Sequence, residues 1–285
     1  MWTKTKVITR HFSVREGSWH FREGSVGGGT HARASAEFFV SNGSIEDMKR
    51  VIVLFCLLTV CSVGVLGGRY VYIRTKYPKI LEKNDLKRIE FSAAYKMSKT
   101  EEDKKIVIDR VRNYLNEILT TKIFPAWYGT PWSFNGDAQY PLNGSIACGA
   151  FVENVLKNIG FQIDRRMSSQ PSEYIIKNMC DVNDIAKFSN ASIKSFNNEI
   201  QSMGDGIYLV GLDSHVGFLY IRKGNYKFVH SHGYLFVLSE IPSLSPTLRM
   251  SKYRVVGKLF SNKMIERWLY SNQIILRYDY FEKRL

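Results

Sequence analysis

From Gly204 onward the spacing of apolar residues changes, and that change limits the possible folds more than any other feature of the chain. Upstream, apolar side chains recur three and four apart, the period of an amphipathic helix. Downstream, GIYLVGL (206–212), HVGFLYIRK (215–223) and YKFVHSHG (226–233) read as short strands. Turn signals precede or separate them at Gly204–Asp205, Leu212–Asp213 and Lys223–Gly224–Asn225. YLFVL (234–238) and RVVGKLF (254–260) extend the pattern, MIERWLYS (264–271) reads as a helix, and QIILRYDYF (273–281) as a last strand. Helices first and antiparallel strands afterwards give an α+β fold, with N-terminal helices packed on one side of an antiparallel β-sheet.

The helical half is punctuated clearly. Ser98-x-x-Glu101 has the form of a capping box, and Ile108, Val111, Leu115, Ile118 and Leu119 follow at helical spacing until Pro125 stops the helix. WYGTPWSFNGDAQYPLNGS (127–145) is a loop rich in Gly, Pro and aromatics. There Trp127, Tyr128 and Phe134 either line a groove or cover the core. ACGAFVENVLKNIGF (147–161) reads as a helix with Phe151, Val155 and Ile159 inward. Pro171 opens another, PSEYIIKNM, while residues 181–203 are weakly patterned.

Ahead of this lies a segment of different character. Residues 1–47 are Gly/Ser-rich and lack apolar periodicity, as expected of an extension outside the folded part. Met48, Lys49 and Arg50 then lead an uncharged run from Val51 to Gly68, the pattern of an export signal or a membrane anchor. The run is barely long enough to span a bilayer, and no A-x-A site follows, which favours an uncleaved anchor. Arg69, Arg74, Lys76 and Lys79 make the following flank the more basic one, against the positive-inside rule for an external C-terminal domain. Translation is expected to begin at Met48, and a native N-terminal peptide from upstream would sink that expectation. Residues 69–100 read as a basic connector and 101–285 as the folded domain.

The net charge of +14 resides mainly in the later part: residues 69–285 hold 32 of the 40 basic and 21 of the 26 acidic side chains. A basic surface favours anionic partners such as acidic lipid headgroups or cell-wall polymers. No Lys/Arg run interleaved with aromatics points to nucleic acid, so none is expected. The four cysteines form no disulfide framework and no C-x-x-C that would suggest zinc, and the thiol chemistry read below needs no metal or cofactor.

After Met48 the histidines are His215, His230 and His232, all on predicted strands within an 18-residue window. Cys148 falls at a predicted helix start after the loop. A helix N-terminus and a nearby imidazolium favour the thiolate, which is the nucleophilic form, and a histidine can then take and return the proton. Cys180 reads as a buried thiol on a helix, and Asp205 and Asp213 as turn formers.

Three blocks in order resemble the NlpC-like cell-wall peptidases, a papain-like family of bacterial cysteine peptidases. GTPWSFNG (129–136) is similar to the family's G-T-P-Y-x-x-G-G. IACGAFVENVLKNIGFQIDRRMSSQ (146–170) is similar to its D-C-S-G-F-V helix with the tail that follows. GDGIYLVGLDSHVGFLYIRKGNYKFVHS (204–231) is similar to G-D-L-V-F-F, S-H-V-G-I-Y and F-I/V-H-A. The resemblance covers roughly residues 101–240. It implies that Cys148 is the nucleophile, His215 the general base and acid, and His230 the third polar group orienting His215. His232, two residues along the same strand, is the rival, with a turn role preferred. Gly149 and neighbouring amides are candidates for an oxyanion hole, and Trp132 for a wall of the cleft. Three places depart from the family: Ala147 replaces its Asp, Gly149 its Ser and Trp132 its Tyr.

The expected function is a peptidase that hydrolyses amide bonds in the stem peptides of peptidoglycan. It would be held at a bacterial membrane through residues 51–68 with its catalytic domain outside. An amidase, thioesterase or acyltransferase on the same scaffold, and an inactive membrane-tethered wall-binding module, are the alternatives.

Overall fold

The computed structural model describes residues 14–15, 18–19, 45–163 and 167–274. The chain divides into two units, Met1–Cys56 and Leu57–Leu285. In the first, β1 (Val14–Arg15) pairs antiparallel with β2 (Ser18–Trp19). Helix α1 runs over Ile45–Met97. Val51 to Phe55 on it are exposed, whereas the side chains of residues 57–63, 65 and 66 of the expected anchor lie outside the described residues. Among the described residues, no helix is long and apolar enough to cross a membrane.

Within the second unit, residues 69–100 do more than connect. They are helical through Met97, and Ile73, Tyr77, Phe91 and Tyr95 are buried in the main core. Tyr77 OH accepts a hydrogen bond from Trp127 Nε1 at 3.0 Å, which makes Trp127 a core residue.

The N-cap of helix α2 (Glu101–Ile118) lies two residues later than expected. Thr100 is the N-cap, and Asp103 closes the box from the N3 position. Nor does Pro125 stop the helical path at once. A π-turn over Leu119–Ile123 leads into α3 (Phe124–Trp127), whose first turn accepts Pro125 because a first-turn residue needs no N–H donor. Helices α4 (Cys148–Asn158) and α5 (Ser172–Met179) follow as expected. The weakly patterned stretch holds β3 (Ile185–Ser189) and α6 (Ile193–Ser202). Then come β4 (Gly206–Leu212), β5 (Val216–Arg222), β6 (Asn225–Ser231), β7 (Val237–Glu240), α7 (Pro246–Met250), β8 (Tyr253–Lys258) and α8 (Asn262–Leu269). Of the expected last strand, residues 275–281 lie outside the described residues.

The sheet is antiparallel, in the order β3-β8-β4-β5-β6-β7. The fold is therefore α+β, but helices cover both faces, not one. Every residue of β4 is buried. Ile207 and Leu209 face a large core shared with α2, α4 and α5, whereas Tyr208, Val210 and Leu212 face a smaller core shared with Phe196 and Ile200 of α6 and Leu248 of α7. A central strand apolar at successive positions cannot leave either face to water. Phe151 on α4 packs edge-on against Trp127 and Phe218 at 5.9 and 5.8 Å between ring centroids. Burying such a ring stabilises by about 1.5–3 kcal/mol, and this contact seats α4 on β5.

Candidate active site

Helix α4 starts at Cys148. Its N-cap, Ala147, has extended backbone and no side-chain oxygen to cap the first amides. The thiol lies beside that place: the main-chain N–H groups of Val216, Gly149 and Cys148 itself are near Sγ and favour its charged form. Three further bonds fix the approach to the helix. Ile146 N donates to Pro131 O and Ala147 N to Gly136 O, both at 2.8 Å, and Ser231 Oγ donates to Ile146 O at 2.7 Å. The entry loop and β6 therefore hold the cysteine between them.

Gly149 is dictated by packing. A Cβ there would lie 2.2 Å from the carbonyl oxygen of Ser168. The short 3-10 turn Met167–Ser169 is held on α4 by Ser168 N, which donates to Glu153 Oε2 at 2.7 Å. The serine usual at this position in the resembled family has no room, so the departure follows from the fold.

His215 sits at the mouth of β5. Its carbonyl accepts from Leu212 N at 2.8 Å, and the turn before it is tied to β8 by Asp213, which accepts from the N–H groups of Lys252 and Tyr253. Phe218 pairs with Val229, so continuing the register sets Gly217 opposite His230. A Cβ on Gly217 would lie 2.8 Å from His230 Cβ, so the missing side chain lets the two histidines meet across it. His215 Nε2 is 2.8 Å from His230 Nδ1, with the rings nearly perpendicular. His230 is fully buried and stacks on Phe228, with centroids 4.1 Å apart.

The chain of bonds continues to a residue that sequence reasoning missed. His230 Nε2 is 3.2 Å from Glu240 Oε2, and Ser245 Oγ donates to the same carboxylate oxygen. Glu240 lies opposite Phe228 in the β6–β7 register, which puts it diagonal to His230 on one face. The only sequence signal for it was a carboxylate two residues past a predicted strand.

This chain fixes the tautomers. An ionised carboxylate only accepts, so His230 carries its proton on Nε2. Its Nδ1 is then an acceptor, and His215 donates to it through Nε2–H. The lone pair of His215 is left on Nδ1, where a base needs it.

The electrostatics keep the site uncharged at the imidazoles. Burial holds His215 down to about 3, helped by His230 and His232 and opposed by Glu240. Burial likewise lowers His230, against the pull of Glu240. Burial alone would raise the Glu240 carboxyl, but the hydrogen bonds from His230 and Ser245 outweigh it and hold the group below its usual range. The Cys148 thiol is pushed up by burial, and the three amides only partly offset this.

The structure joins His215 to His230 but does not hydrogen-bond either to Cys148. Val216 and Phe218 face the large core, on whose edge Cys148 packs, while Leu219 and Phe228 face the smaller one. His215 and His230 follow the second set. The thiol thus reaches β5 at the main chain of Val216, one residue from His215, with the imidazole on the other side of the strand end.

The remaining candidates are placed as follows. His232 lies in the turn after β6, with Nδ1 at 2.5 Å from the Gly233 carbonyl, so it does not compete for His215. The Trp132 ring packs on Tyr234, and its main-chain N–H donates to Leu235 O at 3.0 Å. Cys180 is a free buried thiol packed against Gly257. Among the described residues, no group of His, Cys, Asp and Glu side chains is arranged to hold a metal ion. Compared with models of known protein families, with curated proteins and with solved structures, the chain matches none.

Proposed function

We propose that the chain is a papain-like cysteine hydrolase of the NlpC type that cleaves amide bonds in the stem peptides of peptidoglycan. The observation that carries this reading is the relay Glu240–His230–His215, which leaves a lone pair on His215 Nδ1 one residue along the strand from where the thiol of Cys148 is held. The order of the three sequence blocks and the basic surface support it. The uncharged run 51–68, as an anchor, would keep the domain at the cell envelope.

The chemistry follows from the neutral pair. His215 Nδ1 takes the thiol proton as sulfur attacks the amide carbonyl. The oxyanion that forms is met by the first-turn amides of α4, which lie beside the thiol at rest. The C–N bond breaks as His215 returns the proton to the leaving amine. Water, deprotonated by His215, then attacks the thioester, and Cys148 leaves as the thiol. These steps require Nδ1 and the sulfur, held on either side of Val216, to meet at the strand end, a closure of the sort that substrate binding completes.

One observation favours a second reading, a wall-binding module without turnover: the partners of the Cys148 thiol are main-chain amides, and burial keeps it protonated. Incubating the protein and its Cys148→Ala variant with isolated peptidoglycan, then weighing the soluble products, separates the two. Stem-peptide fragments from the wild type alone support the hydrolase, and their masses name the bond. Binding to the wall without fragments supports the module.

A further inference from the structure

We infer that Trp132 and Tyr234 form a platform for a sugar ring beside Cys148, so that the enzyme takes its peptide while it is still attached to glycan. The inference rests on the hydrolytic reading above and names the substrate class of that site.

Two loops build the platform. The entry loop carries Trp132 and Phe134, and the β6–β7 turn carries Tyr234, Leu235 and Phe236. Main-chain bonds knit the loops together: Trp132 N donates to Leu235 O at 3.0 Å and Val237 N to Thr130 O at 2.8 Å, and Pro131 bridges Phe236. The same entry loop accepts the N–H groups of Ile146 and Ala147, the two residues before Cys148. The loop that carries Trp132 is therefore the one that seats the start of the Cys148 helix.

Tyr234 is costly in two ways. The residue is 92% exposed, and its backbone has φ of +76°, a region where a bulky residue is strained. Folding gains nothing from an exposed aromatic at such a position, and glycine or asparagine would suit the turn better. The ring packs on Trp132 at 5.6 Å between centroids. Neither Trp132 Nε1 nor Tyr234 OH has a hydrogen-bond partner among the described residues. The surface therefore offers apolar ring faces with free polar tips. A pyranose, with an apolar C–H face bordered by hydroxyls, matches it. An acyl chain would leave the polar tips unanswered.

The test titrates the full chain carrying Cys148→Ala with a linear tetramer of N-acetylglucosamine by calorimetry. Binding is expected, weakened about ten-fold by Trp132→Ala and about two-fold by Trp132→Phe, which keeps a ring face. Tyr234→Asn suits positive φ and removes the ring, so it should fold normally and still bind about ten-fold more weakly. No heat at millimolar sugar overturns the inference, as does binding indifferent to both positions. Release of stem peptides from intact peptidoglycan by the wild type is measured beside it: its absence defeats the hydrolytic reading, while a flat sugar titration defeats only the platform.

Discussion

Glu240 Oε2 lies 3.2 Å from His230 Nε2, and through that contact a carboxylate on the last strand of the β4–β7 meander sets which nitrogen of His215 holds a lone pair. In the proposed hydrolase Glu240 is a positioning residue that acts through a buried ring, and Ser245, the N-cap of α7, holds it in place.

Glu240→Gln tests this directly. A side-chain amide both donates and accepts, so it no longer forces the proton of His230 onto Nε2. Turnover should fall about 10–100-fold, the range seen when an orienting partner behind a histidine is lost. KM should hold, because the proposed role of Glu240 runs only through His230. A purely structural role predicts the opposite pattern, a lower melting temperature with turnover per folded molecule unchanged.

The resting pair should be a neutral thiol and a neutral imidazole, not a thiolate–imidazolium pair. Burial moves the Cys148 pKa up and the His215 pKa down to about 3, so the uncharged forms dominate across neutral pH. Thiolate absorbance near 240 nm (the difference between wild type and Cys148→Ser) should therefore be absent at pH 7 and appear only above the ordinary thiol range. Alkylation of Cys148 should be slow at pH 7 for the same reason. Strong thiolate absorbance at pH 6 would contradict this prediction.

Much of this was legible in the sequence, and the failures have physical causes. The strands β4, β5 and β6 stood out because turn residues bracket apolar runs. The pairing of His215 with His230 was implied by the family resemblance, and adjacent hairpin strands were consistent with it. Helix α6 was missed because its buried side is only Phe196, Asn197 and Ile200, too few apolar residues to make a period. Covering both faces of the sheet was readable in principle from GIYLVGL, which lacks a polar alternate. Glu240 was not readable, because its role depends on a diagonal contact across β6–β7 and on Ser245. The separation of Cys148 from the His215 ring depends on strand parity at a hairpin end, where a one-residue shift exchanges the faces.

Stability should fall as pH drops below the ordinary histidine range. His215 is held down to about 3 and His230 is lowered too, against about 6.5 for each in the unfolded chain. Between those values the unfolded chain binds more protons, so unfolding is favoured increasingly as pH falls from about 6.5 towards about 3. The slope is at most about 1.4 kcal/mol per pH unit for each histidine. His232 and Glu240 face the pair, and the lowered Glu240 carboxyl adds to acid loss only below the usual carboxylate range. Urea midpoints at pH 7, 6 and 5 measure the slope, and His215→Gln should flatten it. An equal slope in that variant would assign the acid sensitivity elsewhere.

Gly149→Ser asks whether the cysteine helix tolerates the side chain usual in the resembled family. The new Cβ would meet Ser168 O at 2.2 Å, and backbone on both sides leaves no flexible atom to yield. The Met167–Ser169 turn or the start of α4 must move, which should cost about 1–3 kcal/mol, as overpacking does. A shift of α4 would also draw the thiol from the Val216 N–H, so turnover should fall further than stability. Asp137→Ser, on the exposed entry loop, serves as the control and should change neither. If Gly149→Ser instead matches the wild type in both melting temperature and turnover, the 3-10 turn does not press on the helix in solution. The absence of a serine there would then need a reason other than space.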